Sequence, residues 1–294
     1  MSKDIIFSVI IVSYRNLEIL KDTLDSLIRY NDLGDALEII LSDNSPEMDL
    51  YEQIKRSYPQ VVAIKNENKG FGHGNNEGAK VARGKYLLFL NPDTVLVEPI
   101  FKFAQEKFEK DLRLGVFGVK LVDKEMKRNH SYYIMDGDGF WTAQKEKLAN
   151  TLDFYLDGKM YIAGADLFVR KNAFIDSGCF DENMFMYSEE PDLTRRVRAL
   201  GYTTAYFKQK RIIHLEGKTT GKSLTSEKMR LESKEYYCRK HGLDYRKRLI
   251  QERNYDYFKI ALYRVIRPES VNALQDKVAM LNDLIQKEEK RLEQ

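Results

Sequence analysis

Lys85-Tyr86-Leu87-Leu88-Phe89-Leu90-Asn91-Pro92-Asp93 is an apolar run that stops abruptly in a polar turn. Large side chains at successive positions read as a strand covered on both faces, because a half-exposed strand would alternate. Pro92 has no N–H to donate, so it ends the ladder and turns Asp93 toward the strand-end crevice. Working back toward the N-terminus, a helix is expected over residues 75–82, preceded by a Gly-rich turn and a strand over 61–65. Before these come a helix over 50–58 closed by Pro59, and a strand over 37–42. A helix over 17–30, apolar at Leu20, Leu24, Leu27 and Ile28, and a strand over 5–13 begin the series. Strand and helix alternate throughout, which predicts an α/β fold with a mainly parallel sheet flanked by helices.

Downstream the rhythm loosens. Residues 116–121, 131–134, 161–168 and 204–207 read as strands, and 191–200 as a helix. After about residue 219 the signal is almost continuously helical, with one break at Pro268. Val271, Leu274, Val278, Leu281, Ile285 and Leu292 then follow an a/d spacing. That seam suits either a coiled coil with a second copy or packing within the chain.

The 294 residues are 43% hydrophobic and 32% charged, enough for one sizeable core with an appendage. Two cysteines are too few for a disulfide framework, so a reduced, cytosolic setting is the simplest expectation. No leader or membrane-spanning run is legible. The net charge is only +3, so no nucleic-acid partner is expected. Residues 225–267 nevertheless hold 12 Lys/Arg against 6 Asp/Glu. Such a segment fits peripheral contact with an anionic membrane, and equally a solvated helix face.

On parallel sheets, ligands gather at the carboxyl ends of the strands. Those ends read Ser13-Tyr14-Arg15-Asn16, Ser42-Asp43-Asn44-Ser45-Pro46 and Asn91-Pro92-Asp93-Thr94. Asp43 can accept from a base N–H or a ribose hydroxyl, although Asp-Asn-Ser-Pro also makes an ordinary turn. Three alternating glycines in Gly70-Phe71-Gly72-His73-Gly74-Asn75-Asn76 permit close backbone approach to a ligand, with Asn75 or Asn76 also suited to capping a helix. Asp93 suits a divalent cation that shares a phosphate, or else caps a helix over 98–109. Glu189-Glu190-Pro191-Asp192 crowds three carboxylates where a helix begins. That favours the helix dipole, and it also raises carboxylate pKa values toward those of a general base. His214 follows an apolar strand and could join Asp93 on a metal.

Taken in order, these pieces resemble the inverting family-2 glycosyltransferases of the GT-A fold, especially bacterial rhamnosyltransferase-like members. Ser8-Val9-Ile10-Ile11-Val12-Ser13-Tyr14 is similar to the family's opening strand, and Ser42-Asp43-Asn44-Ser45 to its nucleoside-binding turn. Residues 68–76 resemble its Gly-rich loop, and Leu90-Asn91-Pro92-Asp93 stands in the place of its Asp-X-Asp motif. Gly164-Ala165-Asp166-Leu167-Phe168-Val169-Arg170 resembles the acceptor-side strand. Phe180-Asp181-Glu182 through Glu189-Glu190-Pro191-Asp192-Leu193 resembles the segment with the catalytic carboxylate, and His214-Leu215-Glu216-Gly217 the loop that can add a histidine to the metal.

The resemblance implies a Rossmann-like GT-A domain over residues 1–221 and a helical extension over 222–294 that associates with a membrane or dimerises. It implies a nucleotide-sugar donor held by Ser13, Arg15, Asp43, Gly70, Asn75, Asn91 and Asp93. Mn²⁺ or Mg²⁺ would sit on Asp93 and His214. Glu190 would be the base, and Ala165, Asp166, Glu189 and Asp192 would lie on the acceptor side. The acceptor would be a glycan or lipid-linked glycan, met in the cytoplasm or at the inner face of the membrane. Two departures stand out: Asn91 replaces the first aspartate of the metal motif, and Glu190 replaces the usual aspartate. The rivals are a nucleotidyltransferase, whose basic Gly-rich signature is missing from 13–20, and a non-catalytic scaffold dimerising through its heptads.

Overall fold

The computed structural model describes residues 4–215 and 224–293. The expected alternation opens the chain: β1 (Phe7–Ser13), α1 (Leu17–Arg29), β2 (Leu37–Asp43), α2 (Asp49–Ser57), β3 (Val61–Lys65), α3 (Phe71–Val81) and β4 (Tyr86–Leu90). β1, β2, β3 and β4 run parallel in the order β3-β2-β1-β4, with Ser13 beside Asp43 in register. All seven β1 residues are buried because helices cover both faces. Phe7, Val9 and Ile11 join α1 in one core, while Ile10 faces the other with Leu87 and Phe89.

The sheet continues through β5 (Thr94–Leu96), α4 (Phe101–Lys110), β6 (Leu114–Val122), β7 (Tyr132–Ile134), α5 (Phe140–Leu152), β8 (Met160–Ile162), β9 (Asp166–Arg170), α6 (Lys171–Asp176), α7 (Glu189–Ala199) and β10 (Thr203–His214). The eight-stranded order is β3-β2-β1-β4-β9-β6-β10-β5, with β9 antiparallel to β4 and β6, and β5 antiparallel to β10. β7 and β8 form a separate antiparallel pair. The single strand expected over 161–168 is therefore two strands in two sheets. Ala163-Gly164-Ala165 offers little side chain to hold a straight pleat, and the chain turns there. The strand expected over 204–207 runs on to His214 past a register shift between Phe207 and Arg211.

α8 (Leu224–Lys240), α9 (Tyr245–Ile266) and α10 (Val271–Leu292) complete the fold. Besides the break at Pro268, the helices are interrupted at Gly242, whose φ of 64° only glycine adopts readily after a helix. The heptad seam is used inside the chain. Val278 packs with Ile260, while Leu281 and Ile285 pack with Leu231, Tyr237, Tyr245 and Leu249. Met184, from the segment before α7, belongs to the same cluster and fastens the helices to the sheet domain. Only Leu292, 72% exposed, stands outside this packing. Among the described residues no helix is long and apolar enough to cross a membrane.

Candidate active site

The carboxyl ends of β1 and β2 bring Ser13 and Asp43 together as the sequence led us to expect. Asp43 is fully buried; its Oδ1 accepts from the Ser45 N–H at 2.9 Å and its Oδ2 from Lys65 Nζ at 2.7 Å. Lys65 also donates to the carbonyls of Ser45 and Glu47. It ends β3, the next strand over, and its contacts fix the whole turn. The sequence reading assigned Lys65 no role; its only signal was a lone cation closing an apolar strand. Arg15 adopts a left-handed φ of 57° and donates its N–H to Ser45 Oγ at 2.9 Å, while its guanidinium pairs with Glu47 in solvent. Ser13 Oγ is buried with no hydrogen-bond partner among the described residues.

α3 begins at Phe71, four residues earlier than expected, so Asn75 and Asn76 lie within the helix rather than capping it. Asn75 bonds the Phe71 carbonyl at 3.0 Å. Asn76 holds both Phe180 and Glu182, and Glu182 also pairs with His73 at 2.8 Å. The close approach that Gly70 allows is to the chain itself. At φ 111° a Cβ there would stand 2.3 Å from the Phe185 carbonyl oxygen.

Asn91-Pro92-Asp93 is a braced turn. Asn91 donates its N–H to the Ala165 carbonyl at 3.1 Å, and the buried Thr23 hydroxyl on α1 lies 2.6 Å from the Pro92 carbonyl and 2.8 Å from that of Thr94. Asp93 does not cap the next helix: α4 starts at Phe101, and Asp32 receives its first N–H groups. Asp93 instead leads into β5, whose Thr94 pairs with His214 on β10. That long-range pairing sets Asp93 Oδ1 3.4 Å from His214 Nε2, and the Asp93 carbonyl accepts from the Leu215 N–H at 2.9 Å. Residues 216–223, with the Gly217–Gly221 stretch, lie outside the described residues.

One carboxylate and one imidazole are a donor set that Mn²⁺ accepts, with substrate oxygens needed for the remaining positions. His214 Nδ1 is buried and makes no hydrogen bond among the described residues, consistent with a ring kept for another ligand. No group of three or more His, Cys, Asp or Glu able to hold a metal occurs among the described residues.

Tyr187 and Ser188, at φ 75° and 71°, place two left-handed residues directly before α7. Such backbone is uncommon outside glycine and marks a turn held by its surroundings. It delivers Glu189 and Glu190 in different directions. Glu189 is 1% exposed, whereas Glu190 lines a cavity of about 540 Å³ together with Asn91, Gly164, Ala165 and His214. Burial pushes both carboxyl groups above the ordinary range; Glu189 is pushed further by the charges of Glu190 and Asp192. A Cβ on Gly164 would lie 1.9 Å from Glu190 Oε1, so that glycine is what lets the carboxylate occupy this place.

The three carboxylates expected on the acceptor side, Glu189, Asp166 and Asp192, do not line the cavity. Asp166 is fully buried and accepts from the Val119 N–H at 2.6 Å, and burial raises its pKa well above the carboxylate range. Asp192, also fully buried, pairs with Arg196 at 2.6 Å, Lys240 at 2.7 Å and His241 at 2.8 Å. Burial alone would raise its pKa; those partners hold it below the usual value.

The far wall of the cavity comes from residues that the sequence did not single out for the site: Tyr133, Glu146 and Tyr161, with Lys234 and Arg248 from the C-terminal helices. Burial lifts the Glu146 carboxyl to about 7. Gly164→Ala is expected to leave the fold intact, because Glu190 Oε1 is the movable end of a side chain. Activity should fall by about 10–100-fold through displacement of that carboxylate. Wild-type turnover in the folded variant would refute the packing argument.

A family model described as glycosyl transferase family 2 matches residues 8–174. The chain belongs to that family. Within it, the rhamnosyltransferase WbbL of Escherichia coli (strain K12) is 28% identical over 270 residues, covering 84% of this chain and 96% of that protein. The N-acetylglucosaminyl-diphospho-decaprenol L-rhamnosyltransferase of Mycobacterium tuberculosis (strain ATCC 25618 / H37Rv) is 35% identical over 66 residues, 22% of each chain. Among solved structures, GalNAc-T7 with UDP, GalNAc and Mn²⁺ superposes with a TM-score of 0.56 at 18% identity. The match covers 83% of this chain and about half, 52%, of that one. This family-2 chain thus shares the GT-A arrangement expected from its ordered motifs.

Proposed function

We propose that this glycosyltransferase is inverting, moving a sugar in a single displacement from a nucleoside-diphosphate sugar to a hydroxyl of a glycan or lipid-linked glycan. The observation that carries the reading is that Glu190 and His214, the partner of Asp93, open onto one cavity. Glu190 takes the proton of the acceptor hydroxyl as that oxygen attacks the anomeric carbon, and the nucleoside diphosphate leaves. Asp93 and His214 would hold Mn²⁺ or Mg²⁺, which when bound neutralises charge on the departing diphosphate. Asp43 and Ser13, with Arg15 and Asn91, form the donor side, while Ala165 and the cavity wall form the acceptor side.

In this reading residues 1–221 are the catalytic domain and 222–294 an extension closing the acceptor cavity, at work in the cytoplasm or on the inner face of a membrane. The rhamnosyltransferase relatives support an L-rhamnosyl donor. Dimerisation through the heptads loses its main support, because their apolar positions are buried within the chain.

The direct test is thermal unfolding with UDP, dTDP or GDP, each with and without Mn²⁺. One nucleotide should raise the midpoint by several degrees only with metal, since ligand at about 100 times its Kd stabilises by about 2.7 kcal/mol. No shift with any of the three would sink the donor assignment.

A further inference from the structure

We propose that the outer faces of α5 and α9 form one docking surface for an anionic lipid bilayer, placed beside the acceptor cavity. This rests on the glycosyltransferase reading above for its purpose, though not for its physical basis. Ten of the twenty-one exposed large hydrophobic residues among the described ones fall in two stretches. Trp141, Leu148, Leu152, Phe154 and Leu156 lie on and just after α5; Tyr257, Phe258, Leu262, Val265 and Ile266 lie on the last turns of α9. Trp141 is 74% and Val265 83% exposed. Isolated surface apolar groups need no explanation, but a continuous patch does.

Aromatic contacts join the two helices. Phe140 meets Trp141 edge-on at 5.2 Å and Phe258 at 5.1 Å. From Trp141 the apolar stripe runs along α5 through Leu148 and Leu152. From Phe258 it runs along α9 through Leu262 and Val265, at the i, i+4, i+7 spacing of a single helix face.

The unpaired charges beside the two helices are mostly basic; the acids next to Phe154 and Leu156 are paired, Asp153 with Lys120 and Arg128 and Asp157 with Arg198. Residues 257–267 contain Lys259, Arg264 and Arg267 and no acid, and α5 turns Lys145 and Lys147 outward while Glu146 faces the cavity. Arg264, Arg267, Lys145 and Lys147 make no ion pair among the described residues. This relocates the basic excess read from the sequence. Arg230, Lys234, Arg239, Lys240 and Arg248 are spent on carboxylates buried or half-buried in the fold, and Arg246 pairs with the partly exposed Glu289. An apolar strip flanked by free cations matches the interface of an anionic bilayer, where tryptophan sits at headgroup depth and each basic residue adds attraction. A second copy docking through the same patch would set these cations against one another.

The patch also adjoins the site. Tyr255 and Lys259 of α9, and Thr142 and Ala143 of α5, line the cavity that holds Glu190. A surface lying on these helices would bring an acceptor carried by a lipid to the cavity's mouth.

Trp141 is the only tryptophan, so it reports on its own burial. With the full chain and vesicles of phosphatidylglycerol and phosphatidylcholine, its emission should shift to the blue and be quenched by brominated acyl chains. Phosphatidylcholine alone should give a much smaller response. Val265→Glu and Leu262→Glu should each weaken vesicle binding by about tenfold, and Arg264→Glu with Arg267→Glu should remove the preference for anionic lipid. Metal-dependent stabilisation by nucleotide, measured on the same samples, should be unchanged in all of them. Its loss in the wild type would count against the donor reading alone. Unshifted Trp141 emission with anionic vesicles overturns the docking proposal, as does a dimer in free solution that Val265→Glu converts to monomer.

Discussion

Glu190→Gln is expected to lower transfer by about 10²–10⁴-fold, the usual worth of a positioned general base, while nucleotide binding stays as in the wild type. Glutamine keeps the shape and loses the lone pair's basicity, so the variant separates chemistry from packing. Glu190 is the member of the acidic cluster that faces the cavity; Glu189 is sealed at 1% exposure and Asp192 is held by Arg196, Lys240 and His241. The pH profile supplies a second readout. A base acts deprotonated, and burial raises the Glu190 pKa, so the rate should fall on acidification at a pH above that of an exposed glutamate. The residual activity of the glutamine variant should lack that limb. Full transfer by Glu190→Gln, or a larger loss from Glu189→Gln, would reassign the base.

Asp93→Ala should abolish the metal dependence of nucleoside-diphosphate binding, with affinity in the presence of Mn²⁺ falling by about 10²-fold or more. With asparagine at position 91, Asp93 is the only carboxylate of the motif, and its partner His214 carries no negative charge when neutral. Removing it takes away the carboxylate that meets His214 among the described residues. His214→Ala should be milder, about 10-fold, because the carboxylate and the substrate's own oxygens remain. Calorimetry of the same nucleotide with and without Mn²⁺ would decide; an unaltered metal response in Asp93→Ala would place the cation elsewhere.

The first half of this fold was legible because parallel strands covered on both faces spell themselves out as apolar runs with polar ends. The ends of β1, β2 and β4 carry the residues that the sequence singled out. What escaped has physical causes. α5 puts Trp141, Leu148 and Leu152 toward solvent, so its apolar periodicity gives no inward face to detect. The meeting of Asp93 and His214 was expected only through the resemblance, because it depends on β5 pairing with β10 across more than a hundred residues, which local pattern does not encode. The acidic run of 189–192 is compact in sequence, but helical neighbours diverge by about 100° each, and only Glu190 reaches the cavity. Gly164 stood in a quoted motif without a role, since its importance is the space it yields to Glu190.

The ties of Asp192 to Lys240 and His241 bear on how this chain could be divided or recombined. The buried Asp192 carboxylate on α7 is balanced in part by Lys240 at the end of α8 and by His241 just after it, so a cut before α8 leaves it with Arg196 alone. Grafting the terminal helices of another family member onto this sheet would meet the same obstacle unless the graft brought its own hydrogen-bond donors to those two positions. The boundary between the two parts is thus a seam in the chain's order but not in its electrostatics, and the two must be inherited together.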